Sequence, residues 1–156
     1  MNDVNPRPPA DPPPLTASVV FRLGTLGSVV TARFTEALAA LGLKPKHVGL
    51  MVALDSGAPP SQLELARTMA VAPSLVVALA DHLQQIGAVD RVRDPADRRR
   101  QVLALTGTGR ALLADCTALA RRLDEELTAS LGASEREALR RTLGVLGVEA
   151  GLPTGD

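Results

Sequence analysis

Arginines are concentrated in one short stretch of the chain, RVRDPADRRRQVLALT, which spans residues 91–106. Five arginines fall within its first ten residues, although the formal net charge of the whole chain is zero. A guanidinium group is planar and always charged, so it suits phosphates and the narrow, negative minor groove of A·T-rich DNA. The alternative is a solvated surface turn, in which Asp90, Asp94 and Asp97 form weak local ion pairs with the arginines. The stretch alone leaves both interpretations open.

The rest of the sequence has no pattern typical of a catalytic or metal site. It contains neither a Gly-rich phosphate loop nor a nucleophile with a base and an acid at a suggestive spacing. The single cysteine, Cys116, excludes an internal disulfide, and it forms no metal-ligand spacing with His47 or His82. We therefore expect neither enzymatic activity nor a cofactor or structural metal.

Length and composition favour one mainly α-helical domain. A chain of 156 residues accommodates one core, and because only two residues are aromatic, that core must consist of Leu, Val and Ala, which suit packed helices. Residues 1–14 hold six prolines and predict a disordered tail, and we expect residues 149–156 to be flexible. No apolar run is long enough for a membrane span or a signal segment, so we expect a soluble, cytoplasmic protein without membrane contact.

The spacing of apolar residues and the residues typical of helix ends predict the elements of the first half. Apolar residues three and four apart predict a long first helix that ends at Gly42, and Pro45 starts a second helix. A capping box, Ser61 with Glu64, opens a short third helix, and Pro73 starts a fourth. Two short helices so close together predict a helix-turn-helix.

The second half of the sequence predicts a β-hairpin and two further helices. The segments AVDRVR and QVLAL, separated by polar residues, form the hairpin. Thr106 or Thr108 caps a helix of roughly 25 residues, and Ser134 with Glu137 forms a second capping box that starts the last helix. The long first and last helices carry more apolar surface than the central module can cover. We therefore expect them to pair with a second chain in a homodimer.

Two motifs resemble those of the MarR family of winged helix-turn-helix transcriptional regulators. DPADRRRQVLALT resembles the family's wing signature, and QQIGAVDR resembles the end of its recognition helix, with Gly87 and Arg91 matching. The resemblance extends over nearly everything from Val19 to about Val148. It implies a mainly α fold with a small β-hairpin wing, in a single domain of residues 15–148. The implied parts are N- and C-terminal dimerisation helices, 15–43 and 107–148, and a winged helix-turn-helix, 44–106.

The resemblance also implies a site for double-stranded DNA. Arg99 becomes the minor-groove residue of the wing, Asp97 the carboxylate that orients it, and Arg98 and Arg100 its phosphate neighbours. The recognition helix would be Pro73 to Gln85. The full predicted DNA-binding set is Ser61, Gln62, Pro73, Ser74, Val77, Ala78, His82, Arg91, Arg98, Arg99 and Arg100.

The predicted recognition helix departs from the family pattern, because it lacks the usual threonines and arginines. Its exposed hydrogen-bonding residues are Ser74, Asp81, His82 and Gln85. Thymine methyl contacts by Val77 and Ala78, together with shape readout by the wing, can replace bidentate base contacts. The alternative function is a winged-helix module that contacts proteins and has weak or no specific DNA binding.

The implied function is a repressor that a small aromatic or lipophilic ligand releases from a pseudo-palindromic operator. The predicted ligand-binding residues are Arg22, Val30, Arg33, Phe34, His47, Met51 and Cys116. Each has a simpler interpretation: the apolar residues belong to the core, and His47 is a partly exposed residue at a helix start. Cys116 is a small buried residue on this interpretation rather than a redox sensor.

Overall fold

The computed structural model describes residues 13–55, 61–94, 99 and 101–152. Most of the predicted tail, the end of the predicted C-terminal segment, and Asp97, Arg98 and Arg100 of the predicted wing lie outside these residues. A short 3₁₀ turn precedes six α-helices and one hairpin in the described parts. Their bounds are Leu15–Ala17, α1 Val19–Ala39, α2 Pro45–Asp55, α3 Gln62–Thr68, α4 Pro73–Gln85, β1 Val89–Arg93, β2 Gln101–Leu105, α5 Gly107–Leu127 and α6 Ala133–Glu149.

The predicted fold class, mainly α with one hairpin, is confirmed. Helices α3 and α4 meet at 108°, an angle typical of a helix-turn-helix. The capping box is present: the Ser61 hydroxyl accepts from the Glu64 N–H at 3.2 Å, and the Glu64 carboxylate accepts from the Ser61 N–H at 2.7 Å. In the hairpin, β1 and β2 are antiparallel, with Val89 opposite Leu105 and Arg93 opposite Gln101.

The ends of α1, α3, α4 and α6 share one pattern of backbone hydrogen bonds. After α1, α4 and α6 the chain turns through a glycine with positive φ: Gly42, Gly87 and Gly151. The turn between α3 and α4 has the same hydrogen bonds, because Val71 N–H donates to the Ala66 carbonyl and Ala70 N–H to the Arg67 carbonyl. Here an alanine, Ala70, takes the left-handed conformation at φ 49°.

The start of the last helix differs from the prediction. Helix α6 begins at Ala133, and the Glu135 carboxylate accepts from the Gly132 N–H at 2.7 Å. The capping box predicted for Ser134 and Glu137 is therefore wrong, since Ser134 already lies inside the helix. Glu137 instead pairs with Arg140 one turn later, at 2.7 Å.

The core is built by α2, α4, the hairpin and the first half of α5. Its fully buried side chains include Leu50, Met51, Val76, Leu83, Leu103 and Cys116. Within α1, which is described in full, only Leu38 is buried, and none of residues 133–149 is buried. No single helix in the described ranges is long and apolar enough to cross a membrane; α3 and α4 meet that criterion only together, as a pair bent by 108°.

A close joint connects the wing to α5. The Thr106 hydroxyl donates to the Gly87 carbonyl at 2.7 Å and accepts from the Gly109 N–H at 3.0 Å, so it also caps α5. The Thr106 N–H donates to the Ala88 carbonyl at 3.1 Å. A Cβ atom on Gly109 would lie 2.0 Å from that same carbonyl oxygen. Only glycine therefore allows α5 to approach the start of β1 so closely.

Candidate nucleic-acid interface

Helix α4 presents one face to solvent and packs the other into the core. Val76, Leu79, Ala80 and Leu83 are buried on the inner side. The outer side carries the exposed residues Pro73, Ser74, Val77, Ala78, Asp81 and Gln85. The helix starts at a proline whose fixed φ suits the first turn. This face is small and largely apolar at its centre, with polar groups at both ends.

Three other predicted contact residues lie on α3 and in the turn of the hairpin. Ser61 and Gln62 lie half-buried at the start of α3, where the Ser61 hydroxyl caps the helix. Arg99 is exposed in a turn between the two strands. The structure thus places Ser61, Gln62, α4 and Arg99 on the elements that the sequence predicted for them. Asp97, Arg98 and Arg100 lie outside the described residues.

Arg91 makes contacts that the sequence did not predict. Its Nη2 donates to the Asp81 carboxylate at 2.5 Å, and its Nη1 donates to the Gln84 side-chain oxygen. The surface-turn interpretation expected a partner among the nearby aspartates, but the carboxylate comes from α4, ten residues away. Arg91 therefore joins the first strand of the hairpin to α4.

His82 faces a crevice beside α4. Its Nε2 lies 3.1 Å from the Gly42 carbonyl, and its ring stacks on His47 with centroids 4.5 Å apart. Because the carbonyl only accepts, His82 donates from Nε2. These contacts occupy the ring that the sequence offered as a DNA contact.

His47 is the third residue of α2 and is buried, with 7% of its surface exposed. Its Nδ1 accepts from the Lys44 N–H at 3.0 Å, the contact that Glu or Gln makes in a capping box. Because only 7% of its surface is exposed, the interpretation of His47 as a partly exposed residue is wrong. Burial, followed by the charges of His82 and Lys44, lowers the pKa of His47. The ring is thus held neutral, with its proton on Nε2.

The crevice has a volume of about 640 Å³ and lies between α4, the end of α1 and the start of α2. Helix α4 supplies three apolar side chains and the His82 imidazole, whereas the hydroxyl and ammonium groups and the His47 imidazole come from the other wall. Its described lining comprises Thr31, Thr35, Gly42, Lys44, Pro45, Lys46, His47, Leu75, Ala78, Leu79 and His82. A volume in this range suits a small organic ligand.

His47 is the only member of the predicted ligand set among these described lining residues. Met51 and Cys116 belong to the core, 0% and 1% exposed, and Phe34 packs partly against it. The core interpretation therefore fits these three residues better than the pocket interpretation. Burial, and then the neighbouring Asp115, raises the pKa of the Cys116 thiol, which disfavours the reactive thiolate.

The two arginines of the predicted ligand set lie on the surface of α1. Arg22 is exposed and donates from Nε to the Thr16 carbonyl at 3.1 Å. Arg33 and Val30 line a shallow cleft against Leu123 and Leu127 of α5, apart from the crevice.

Sequence reasoning missed most of the crevice wall. Lys44 and Lys46 flank Pro45 at the start of α2, and Thr31 and Thr35 lie one turn apart on α1. The available signal was the pair of lysines around a helix-starting proline, with a histidine three residues after Lys44. Within the part of the chain that the structure describes, no three His, Cys, Asp or Glu side chains converge to hold a metal ion.

Known proteins resemble this chain in sequence. Residues 41–100 match the MarR family model. The chain is 32% identical over 132 residues to the HTH-type transcriptional repressor Rv2887 of Mycobacterium tuberculosis, a match that covers 84% of this chain and 94% of the relative.

Solved structures share the fold. Mycobacterium tuberculosis Rv2887 in complex with DNA has a TM-score of 0.73 and 30% identity, covering 84% of this chain and 98% of that chain. CouR from Rhodococcus jostii RHA1 bound to p-coumaroyl-CoA has a TM-score of 0.72 and 27% identity, covering 93% and 99%. The sequence match to Rv2887 extends over most of both chains, and the solved structure shares the fold. This chain therefore belongs to the MarR family of transcriptional regulators.

Proposed function

We propose that the protein is a repressor that binds a specific double-stranded DNA sequence and has no enzymatic activity. The observation that carries the proposal is the placement of an exposed α4 face, at 108° to α3, beside a hairpin that exposes Arg99. This arrangement suits a helix in the major groove with an arginine in the adjacent minor groove. The relative Rv2887 is named a transcriptional repressor, and its complex with DNA supports the same partner here.

In this proposal α4 enters the major groove and the wing follows the neighbouring minor groove. Ser74 and Gln85 supply hydrogen bonds, and Val77 and Ala78 contact thymine methyl groups. Residues at the start of α3 contact the backbone. The wing residues keep the roles implied for them: Arg99 in the minor groove, Asp97 orienting it, and Arg98 and Arg100 on phosphates. We leave His82 out of the DNA-contacting set because its ring is engaged in the crevice.

We further propose that the active form is a homodimer held by helices of residues 15–43 and 107–148, around a winged helix-turn-helix of residues 44–106. In the single chain the apolar face of α1 is open, with Val19 68%, Leu23 44% and Leu26 53% exposed. Leu143 of α6 is 45% exposed. Two-fold pairing would cover these faces and place two α4 helices about one DNA turn apart.

The last part of the proposal is ligand control. We place the ligand in the crevice rather than at the ligand-binding residues predicted from the sequence. The wall from α1 and α2 supplies Lys44 and Lys46, whereas α4 supplies Leu75 and Leu79. This combination suits an aromatic or lipophilic anion, and the relative CouR has been solved with p-coumaroyl-CoA. Because α4 forms one wall, a ligand that prefers one position of α4 shifts DNA affinity.

The first experiment replaces the exposed wing arginine. We expect Arg99→Ala to weaken operator binding by about 1 to 3 kcal/mol, because it removes a minor-groove contact, while the fold barely changes. Fluorescence anisotropy on an operator selected from a random duplex pool measures binding, and circular dichroism checks the fold. Unchanged operator affinity in a folded Arg99→Ala dimer would favour the interpretation of the arginines as part of a solvated surface turn.

Two matched variants sharpen that experiment. Asp97→Ala should weaken binding although it removes a negative charge, because Asp97 holds the Arg99 side chain in place. Arg98→Ala should weaken specific and random duplexes alike and lower the salt slope by about 0.9. Tighter binding by Asp97→Ala would remove its orienting role.

Ligand control is tested by a thermal-shift screen of small aromatic acids, followed by operator release. The paired substitution Lys44→Gln and Lys46→Gln should reduce stabilisation by any compound that binds in the crevice. Compounds that stabilise the protein but leave DNA affinity unchanged would contradict the allosteric part alone.

The alternative is a winged helix that contacts proteins, and the apolar centre of the α4 face favours it. Val77 is 39% exposed and Ala78 is exposed beside it. A DNA-binding module loses affinity steeply with added salt, since each neutralised phosphate releases counterions. Absence of such binding to any selected duplex would favour the protein-contacting alternative.

A further inference from the structure

The side chain of Arg91 joins two elements that the proposed function uses together. Arg91 lies in β1, opposite Leu103 of β2, and its guanidinium reaches across to α4. There it donates to Asp81 at 2.5 Å and, from its other terminal nitrogen, to the Gln84 side-chain oxygen. These acceptors are three residues apart, so they lie together on one side of the helix. A planar fork suits two acceptors at once, whereas the ammonium of lysine does not.

The contact also changes the charge of the α4 surface. The Asp81 side chain is half exposed, 50%, and belongs to the outer side of α4 with Ser74, Ala78 and Gln85. A carboxylate without a partner on this side would face the phosphates of the proposed DNA ligand and repel them. Arg91 neutralises Asp81 and remains only 30% exposed, so its own charge is largely used within the protein.

We propose that Arg91 is a positioning residue for DNA recognition and contacts neither phosphates nor bases. It masks the Asp81 charge and fixes the base of the hairpin against α4, so that the recognition helix and the wing keep one relative geometry. This inference rests on the proposed DNA-binding function and reverses the prediction that Arg91 is itself a DNA contact.

The test is a double-mutant cycle of Arg91→Gln and Asp81→Asn, measured by fluorescence anisotropy on a selected operator and on a scrambled duplex over a salt series. Arg91→Gln should weaken operator binding about tenfold at low salt, because it exposes a carboxylate to the DNA, and this loss should shrink as added salt screens the repulsion. The double variant has no such carboxylate and should recover to within about threefold of the unmodified protein. The loss that remains in the double variant measures the missing link between β1 and α4. Arg91→Lys keeps the charge but not the planar fork, so its operator affinity should lie between those of Arg91→Gln and the unmodified protein.

Two controls separate positioning from a loss of charge or of fold. Arg93→Gln removes the same charge from an exposed position of the same strand, and it should change operator and scrambled binding in equal proportion. Thermal unfolding of Arg91→Gln should stay close to that of the unmodified protein, because a pair this exposed contributes little to stability.

Three outcomes would overturn the inference. A salt slope lowered by about one in the double variant as well as in Arg91→Gln would make Arg91 a phosphate contact. Failure of the double variant to recover would show that Asp81 is not what Arg91 masks. A preference lost at a single C·G pair in Asp81→Asn alone would make Asp81 a direct reader of cytosine. All three presuppose that the unmodified protein binds DNA; if it binds no selected duplex, the proposed function itself has failed.

Discussion

The winged helix and the terminal helices differ in how completely one chain buries them. Helices α2 and α4 and strand β2 each place several side chains in a shared core, including Leu50, Val76 and Leu103. Helix α6 buries none of its residues, and the first part of α1 leaves its apolar side chains open, Val20 by 83%. Unpaired apolar surface of this extent is typical of a protein interface. One chain thus combines a module that buries its own core with terminal helices whose apolar side chains it leaves exposed.

Among the changes that test this difference, we expect the largest effect from adding a side-chain atom at the close contact between α5 and the start of β1. A Cβ on Gly109 would lie 2.0 Å from the Ala88 carbonyl oxygen and 2.7 Å from a Leu105 methyl carbon. Because backbone cannot yield as a side chain tip does, we expect Gly109→Ala to lower the free energy of unfolding by about 3 kcal/mol or more. Denaturation with urea measures it. Gly107→Ala, where nothing described lies within 4 Å, should be close to neutral, and equal losses in both would contradict the contact.

A charge on the terminal helices should break the association of chains instead. Leu143 lies on the exposed apolar face of α6, so we expect Leu143→Arg to weaken dimerisation by at least about 2 kcal/mol, or roughly 30-fold. Sedimentation velocity over a concentration series measures the association. Ile86→Arg is the matched control, because Ile86 is 40% exposed but belongs to the winged helix, and its association should not change. A Leu143→Arg dimer that persists at low micromolar concentration would contradict the interface.

Acid should destabilise the winged helix through His47. The pKa of His47 is lowered in the folded chain. Around and below pH 6.5, the ordinary pKa of histidine, the unfolded chain therefore binds more protons than the folded chain. Stability is therefore fully present above about pH 6.5 and is lost as the pH falls toward the folded pKa, by at most about 1.4 kcal/mol per pH unit. Urea denaturation from pH 7.5 to 5 measures the loss, which should not depend on protein concentration. His47→Gln keeps an acceptor for Lys44 and should flatten the profile; an unchanged slope would assign the titration elsewhere.

The smallest effect is expected in the turn of the helix-turn-helix. Ala70 adopts φ 49°, a conformation that costs an L-residue roughly 1–2 kcal/mol. Ala70→Gly removes that cost but gains freedom in the unfolded chain, so we expect a net stabilisation of about 0.5 to 1 kcal/mol. Thermal unfolding measures it. Gly87→Ala imposes the same conformation on alanine after α4 and should be destabilising; a loss of stability in Ala70→Gly would contradict the argument.

The sequence predicted the elements well because their ends are marked locally. Pro45 and Pro73 start helices, Gly42 and Gly87 follow helix ends, and the Ser61 box opens α3. The same kind of signal misled at α6, where two overlapping patterns place a glutamate three residues after a possible cap. The hydrogen bond forms in the earlier register, from Gly132 to its glutamate. Local pattern alone does not decide between two such registers.

The site was predicted less completely because its contacts join distant residues. His82 meets Gly42 across forty positions, and no periodicity within α4 indicates a carbonyl on another element. Arg91 finds its carboxylate on α4 and not among the aspartates beside it. Sequence spacing predicted which residues lie on these elements, but the packing angle between elements decides where their side chains end.

The joint around Thr106 makes α5 a lever. One threonine side chain contacts both the end of the α4 turn and the first turn of α5, so motion at one reaches the other over a few ångströms. Helix α5 has 21 residues and is therefore about 31 Å long, so each degree of tilt about this fulcrum moves its far end by about half an ångström. A small rotation at the end of α4 would therefore be amplified along α5 into a much larger displacement at the far end of that helix.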